Sequence, residues 1–140
     1  MSNSSNYFSK LSLQRLEEVH PLLVNLAYHL LQYHDIKIIY GVRTLEQQKA
    51  LYEKGLSKTM NSRHLKQPDG YSWAVDIAPY PIDWNDTKRF YWVAGMMRVL
   101  GREYLPEGWV LRWGGNWDID EDLNDQSFMD LAHFELRKRQ

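Results

Sequence analysis

Cysteine is absent from the chain, which excludes a disulfide framework, a thiolate nucleophile and sulfur ligation of a metal. Any metal must then be held by histidine, aspartate or glutamate. Long apolar runs are missing too: nowhere do about 18 apolar residues follow one another, as a membrane-spanning helix requires. The opening MSNSSNYFSK has neither the basic flank nor the apolar stretch of a secretory signal. No membrane anchor and no export signal are expected. Charge of one sign is not in excess either. Seventeen Lys and Arg against eighteen Asp and Glu, a net charge of −1, leave no electrostatic footprint for nucleic acid or an anionic membrane.

What remains is a chain of 140 residues, 44% apolar and 25% charged, the balance of an ordinary globular protein. It fits one domain, residues 1–140 with a flexible leader over 1–8, and is long enough to bury about two thirds of its unfolded surface. Six Trp and nine Tyr exceed what such a core needs. Some of these rings, with Trp113, Trp117 and Tyr71 as candidates, are placed to line a groove, although a Trp beside a Gly-Gly turn more often packs.

Apolar residues at Leu13, Leu16, Val19, Leu22, Leu23, Leu26, Ala27, Leu30 and Leu31 follow helical spacing. This is one helix or two, since Pro21 either bends it or opens a second. IKIIY at 36–40 reads as a buried strand, and Thr44 as the cap of a helix running to about Lys54 and ended by Gly55. Residues 55–71 are too polar for a core element, and so long a loop in a small domain is more often functional than idle. SWAVDIA at 72–78 resumes strand character, with Trp73, Val75 and Ile77 on one face and Asp76 on the other between Ala74 and Ala78; Pro79 and Pro81 end it. A helix capped by Asn85 or Asp86 runs to about Glu103, and strands follow at 110–113 and 132–136. Helices and strands mix without a βαβ rhythm, so an α+β domain with a small antiparallel sheet and flanking helices is expected.

Of the five histidines, His20, His29 and His34 lie on or at the end of the first helical segment and read as surface or core-edge imidazoles. His64 and His133 differ, because each lies at a loop or strand edge near a carboxylate. Two imidazoles and one carboxylate, here His64, His133 and Asp76, are a common thiolate-free ligand set for zinc, with a fourth position open to water. Such a metal acidifies its bound water and polarises a carbonyl, and a further carboxylate must carry protons. Asp130, in the turn before the last strand, and Glu135, on the same face as His133, both qualify by spacing. Either could equally be an outer partner of a ligand.

The run Ser62-Arg63-His64, then Gly70 and Ala74-Val75-Asp76, followed late by DLAHFEL at 130–136, resembles the zinc peptidases that include D-alanyl-D-alanine carboxypeptidases and the L-alanyl-D-glutamate endopeptidases of bacteriophage endolysins. GVRT at 41–44 and RWGGNWD at 112–118 are similar to further segments of that family in the same order. The resemblance implies an α+β fold in which His64, Asp76 and His133 hold Zn2+, Asp130 rather than Glu135 moves the proton, and Arg43 binds substrate or stabilises the developing oxyanion. Residues 65–75 separate His64 from Asp76, more than is usual in the family, so KQPDGYSW reads as an enlarged loop.

The expected activity is hydrolysis of a peptidoglycan stem peptide at the L-alanyl-D-glutamate bond by a monomeric endolysin. It would be made in the host cytoplasm and reach the wall once the membrane is opened. D,D-carboxypeptidase activity is the runner-up, and a catalytically silent wall- or protein-binding module is the alternative of another class. Asp118, Asp120, Asp122 and Asn124 alternate like the start of a calcium loop, but the central Gly and terminal Glu are missing, which favours a solvated acidic loop.

Overall fold

Capping chemistry divides the amino-terminal segment into two helices. The computed structural model describes residues 6–57, 59–116 and 130–139; Trp117 and the acidic stretch 118–126 lie outside them. Helix α1, Lys10–Leu16, starts where the Ser9 side chain accepts from the Ser12 amide. The chain then turns through Glu18 at φ 64°, and α2, Pro21–Leu31, begins with His20 as its cap and Pro21 at the first helical position, where proline loses nothing by lacking an N–H. Pro21 therefore opens a second helix rather than bending one. Within the expected leader, the Asn6 side chain donates to the Leu31 carbonyl and Phe8 packs edge-on against Tyr28 at 5.0 Å.

Strand β1 is Ile36–Tyr40, followed by α3, Leu45–Glu53, which opens on a reciprocal capping box between Thr44 and Gln47. Strand β2 is Ala74–Pro79, helix α4 is Thr87–Tyr104, β3 is Trp109–Gly114 and β4 is Asp130–Lys138. All strand pairs are antiparallel, in the order β1-β2-β4-β3. Pro79 ends β2 as expected, pairing with Ile36 of β1 as the strand's last residue; the pairing of β2 with β4 covers only Ala74 to Asp76, so no ladder partner on that side needs the missing N–H. One expectation needs correction. Asp130 belongs to β4, opposite Gly114 of β3, rather than to a preceding turn.

The two faces of the sheet have different chemistry. Val75, Ile77, Phe134 and Leu136 point into the core, where they meet Leu23, Leu26 and Leu30 of α2 and Val93 and Met97 of α4, all essentially inaccessible to solvent. Each such leucine stabilises the fold by about 1.5–3 kcal/mol. Asp76, His133 and Glu135 share the opposite face. Gly114 lets β3 and β4 close beside Asp130, since a β-carbon there would run into the Asp130 carbonyl oxygen. Gly114→Ala is expected to destabilise the protein by about 1–3 kcal/mol through overpacking, read from urea unfolding.

The enlarged loop has structure of its own. Gln67 N–H donates to the Tyr71 carbonyl and Gly70 N–H to that of Gln67, while Lys66 bridges Ser72, so residues 66–72 form a tight hairpin turned at Gly70, φ 86°. Its stem is fixed at one end by Trp73 N–H to Arg63 O and at the other by Ser72 N–H to Glu18 O and His20 N–H to Ser72 O. Residues 66–72 are taken up in the hairpin, which is bonded to the α1–α2 junction through Glu18 and His20.

Candidate metal centre

Strand register brings the polar groups together. Asp76 stands opposite His133, Glu135 follows two residues later on the same face, and Arg112 of β3 stands opposite Glu135. His64 enters from the loop after α3. Its amide N–H donates to Ser62 Oγ at 3.1 Å and its carbonyl accepts from the Arg43 amide at 2.9 Å, which pins the loop to the exit of β1. One nitrogen from each of His64 and His133 and one oxygen of Asp76 lie within 4.8 Å of one another. His64 Nε2 is 3.1 Å and His133 Nδ1 3.2 Å from the same atom, Asp76 Oδ1.

The far nitrogens are tethered as well. His64 Nδ1 lies 2.7 Å from the Gly41 carbonyl oxygen, which can only accept, so Nδ1–H donates there and Nε2 faces Asp76. Gly41 itself sits so close to α1 that a β-carbon would meet the Arg15 carbonyl. His133 Nε2 lies 2.8 Å from Glu135 Oε1, and Arg112 Nη2 donates to Glu135 Oε2 at 2.9 Å. Both side chains of the imidazole pair are almost wholly enclosed, at 2% and 8% exposure, whereas Asp76 retains 16%. Solvent thus reaches the cluster on the carboxylate side.

Two imidazole nitrogens and a carboxylate oxygen, preset by hydrogen bonds on their outer atoms, form a donor set that suits a borderline divalent cation such as zinc and leaves a coordination position open. Without a cation the cluster is held by protons. Burial opposes the charged form of His133, but hydrogen bonds to Asp76 and Glu135 and their charges push it up to about 9. Burial likewise opposes ionisation of Asp76, yet the His64 charge and bonds from both imidazoles hold it well below the usual carboxylate range. Because His133 is raised above its ordinary 6.5, its contribution to stability is complete below that pH and is lost as pH climbs through about 9. Metal-free protein should therefore melt at progressively lower temperature across this window in calorimetric scans with chelator present.

Asp130, partly buried at the start of β4, has its carboxyl pushed upward by burial and by the charge of Asp76, against the opposing pull of His133 and His64. It senses all three members of the cluster. Glu135 has one oxygen on His133 and the other on Arg112. Arg43 lies over the Tyr40 ring at 4.6 Å and donates through Nη1 to Gln48 Oε1 at 2.8 Å; its Nε is buried with no hydrogen-bond partner among the described residues. Sequence reasoning missed the roles of Gln48, fully buried and held by Ser57 and the Thr59 carbonyl, of Gly41 and of Arg112. Gly41 and Arg112 stood within the GVRT and RWGGNWD segments and Gln48 among the polar residues opening α3, but what each does depends on tertiary pairing, which single-residue patterns do not carry.

The remaining candidates lie elsewhere. His20 caps α2 through Nδ1, His29 stacks on Tyr104 at 3.9 Å, and His34 contacts the Asp35 carbonyl. Trp113 donates through its indole N–H to the Leu131 carbonyl and packs on the core, while Tyr71 meets His20 edge-on in the hairpin.

The chain is similar to known proteins in family and in fold. The family model described as phage L-alanyl-D-glutamate peptidase matches residues 4–137. The crystal structure of the L-Ala D-Glu endopeptidase ChiX of Serratia marcescens aligns with a TM-score of 0.74 at 28% identity, covering 93% of this chain and 89% of that one. The α+β fold with one antiparallel sheet is thus shared with ChiX. A vancomycin-resistance D,D-dipeptidase, VanXYg, solved with a D-Ala-D-Ala phosphinate analogue, aligns with a TM-score of 0.42 at 15% identity over 94% of this chain and 51% of its own. A search of curated proteins returned no significant match.

Proposed function

This chain belongs to the phage L-alanyl-D-glutamate peptidase family and is a peptidase, and from that membership we propose that it is a zinc-dependent endolysin cutting the L-alanyl-D-glutamate amide of peptidoglycan stem peptides. The observation that carries the reading is the convergence of His64, Asp76 and His133 within 4.8 Å, with both imidazoles tethered from behind. These three residues would hold zinc. When bound, zinc supplies a Lewis acid that polarises the scissile carbonyl and acidifies a water.

The rest is done by the chain's own groups. Asp130 takes a proton from the attacking water and returns it to the departing amine nitrogen, a role that suits a carboxyl whose affinity for protons is raised by burial and by the charge of Asp76. Glu135 is less suited to it, because both its oxygens already accept from cations or imidazole. Arg43, steadied by Tyr40 and Gln48, offers its remaining N–H donors to the oxyanion or to the substrate carboxylate that a glutamyl residue carries beside the cleaved amide.

Among the described residues no helix is long and apolar enough to cross a membrane. We take the protein to act as a monomer, made in the host cytoplasm and admitted to the wall when the membrane is permeabilised. The test is digestion of a defined stem-peptide substrate with zinc present and after chelation, with products read by mass spectrometry. A zinc-dependent fragment with a new glutamate amino terminus is expected. Release of terminal D-alanine would point to a carboxypeptidase, and no new amine under either condition to a silent binding module.

A further inference from the structure

The two imidazoles of the cluster are tethered differently. His64 is held by a neutral carbonyl, that of Gly41, whereas His133 is held by a carboxylate which is itself gripped from β3, where Arg112 Nη2 donates to Glu135 Oε2 at 2.9 Å; Arg137 Nη1, two residues on in β4, approaches the same oxygen at 3.6 Å. Glu135 is 3% exposed. A buried carboxylate is retained at little cost only when its lone pairs are met by donors, and here both oxygens are occupied by specific partners. The register that sets Arg112 opposite Glu135 and Glu135 two residues beyond His133 lines the three side chains along one sheet face.

We propose that Glu135 and Arg112 form a positioning relay that fixes His133 with its Nε2–H toward Glu135 and its Nδ1 toward the cation, thereby setting the affinity of the centre for zinc. This rests on the metal-centre reading above. Neither residue touches substrate in this scheme. Glu135 governs the orientation and electron donation of the ligand imidazole, as an outer carboxylate does for a metal-bound histidine, and Arg112 keeps the carboxylate in place.

Glu135→Gln preserves the shape and one acceptor but removes the charge. Zinc dissociation constants of wild type, Glu135→Gln, Arg112→Met and the double variant are measured by competition with a chromogenic chelator. Circular dichroism of the metal-free proteins controls for folding, and imidazole 1H–15N correlation spectra of the zinc-loaded proteins report the ring. Glu135→Gln is expected to weaken zinc binding by about 10–100-fold and to lose the slowly exchanging His133 Nε2–H signal. Arg112→Met should weaken binding less in the wild type and add nothing in the Glu135→Gln background. An unchanged dissociation constant with an intact Nε2–H signal in Glu135→Gln would overturn the relay, as would a full Arg112→Met effect in the double variant. If metal-free Glu135→Gln does not fold, Arg112→Met alone decides: weaker zinc binding supports the relay and unchanged binding overturns it. A wild-type protein that takes up no zinc would remove the metal-centre reading itself, a result distinct from tight binding in every variant.

Discussion

Replacing His133 by alanine is expected to abolish stoichiometric zinc uptake. Among the described residues three protein atoms converge at the cluster, and two donors do not retain a cation that is ordinarily held by three protein ligands and a water. The loss should exceed the about 10–100-fold that follows removal of an outer partner, because the ligand itself is gone. Metal content after dialysis, read by plasma mass spectrometry, checks it. The comparison that gives the measurement its force is with His29→Ala and His34→Ala. The first removes a stacking partner of Tyr104 and the second a contact to the Asp35 carbonyl, and both should keep one zinc per chain. Equal loss in all three variants would mean that another set of histidines holds the metal.

The second large effect separates binding from turnover. Asp130→Asn should leave zinc in place and lower kcat by about 10²–10⁴-fold, the usual contribution of a positioned proton carrier. Asparagine matches aspartate in volume, so the close approach of Asp130 to Gly114 of β3 is kept and only proton transfer is removed. Zinc content and turnover of the same sample distinguish the outcomes. Near wild-type turnover in Asp130→Asn would pass the proton-carrying role to another group, and its collapse together with zinc loss would make Asp130 a ligand.

Much of this framework could be read from local chemistry. Strand β1 at 36–40 follows from a β-branched run between Asp35 and Gly41, and the Thr44 helix start from a cap whose partners are three residues away in sequence. The two-residue alternation around Asp76 set it apart from Val75 and Ile77, and that is the face on which His133 and Glu135 also stand. What stayed hidden depends on pairing between distant segments. Asp130 joins β4 because Gly114 is its partner, and nothing in the polar sequence before Leu131 announces a strand. Pro79 closes β2, as its missing N–H predicts, but that it still pairs with Ile36 of β1 is a fact of register rather than of propensity. The resemblance favoured Asp130 over Glu135 as proton carrier, but why Glu135 is otherwise engaged is visible only once Arg112 lies opposite it. The enlarged loop is similar: its composition announced irregular structure, while the hairpin within it depends on backbone bonds to Glu18 and His20.

Diffraction from zinc-loaded crystals, with anomalous differences collected at the zinc absorption edge, addresses the metal centre most directly. The account predicts one peak per chain, within ligating distance of His64 Nε2, Asp76 Oδ1 and His133 Nδ1 together. A peak on His20, His29 or His34 instead, or three side chains that keep their mutual hydrogen bonds with no peak between them, would contradict it.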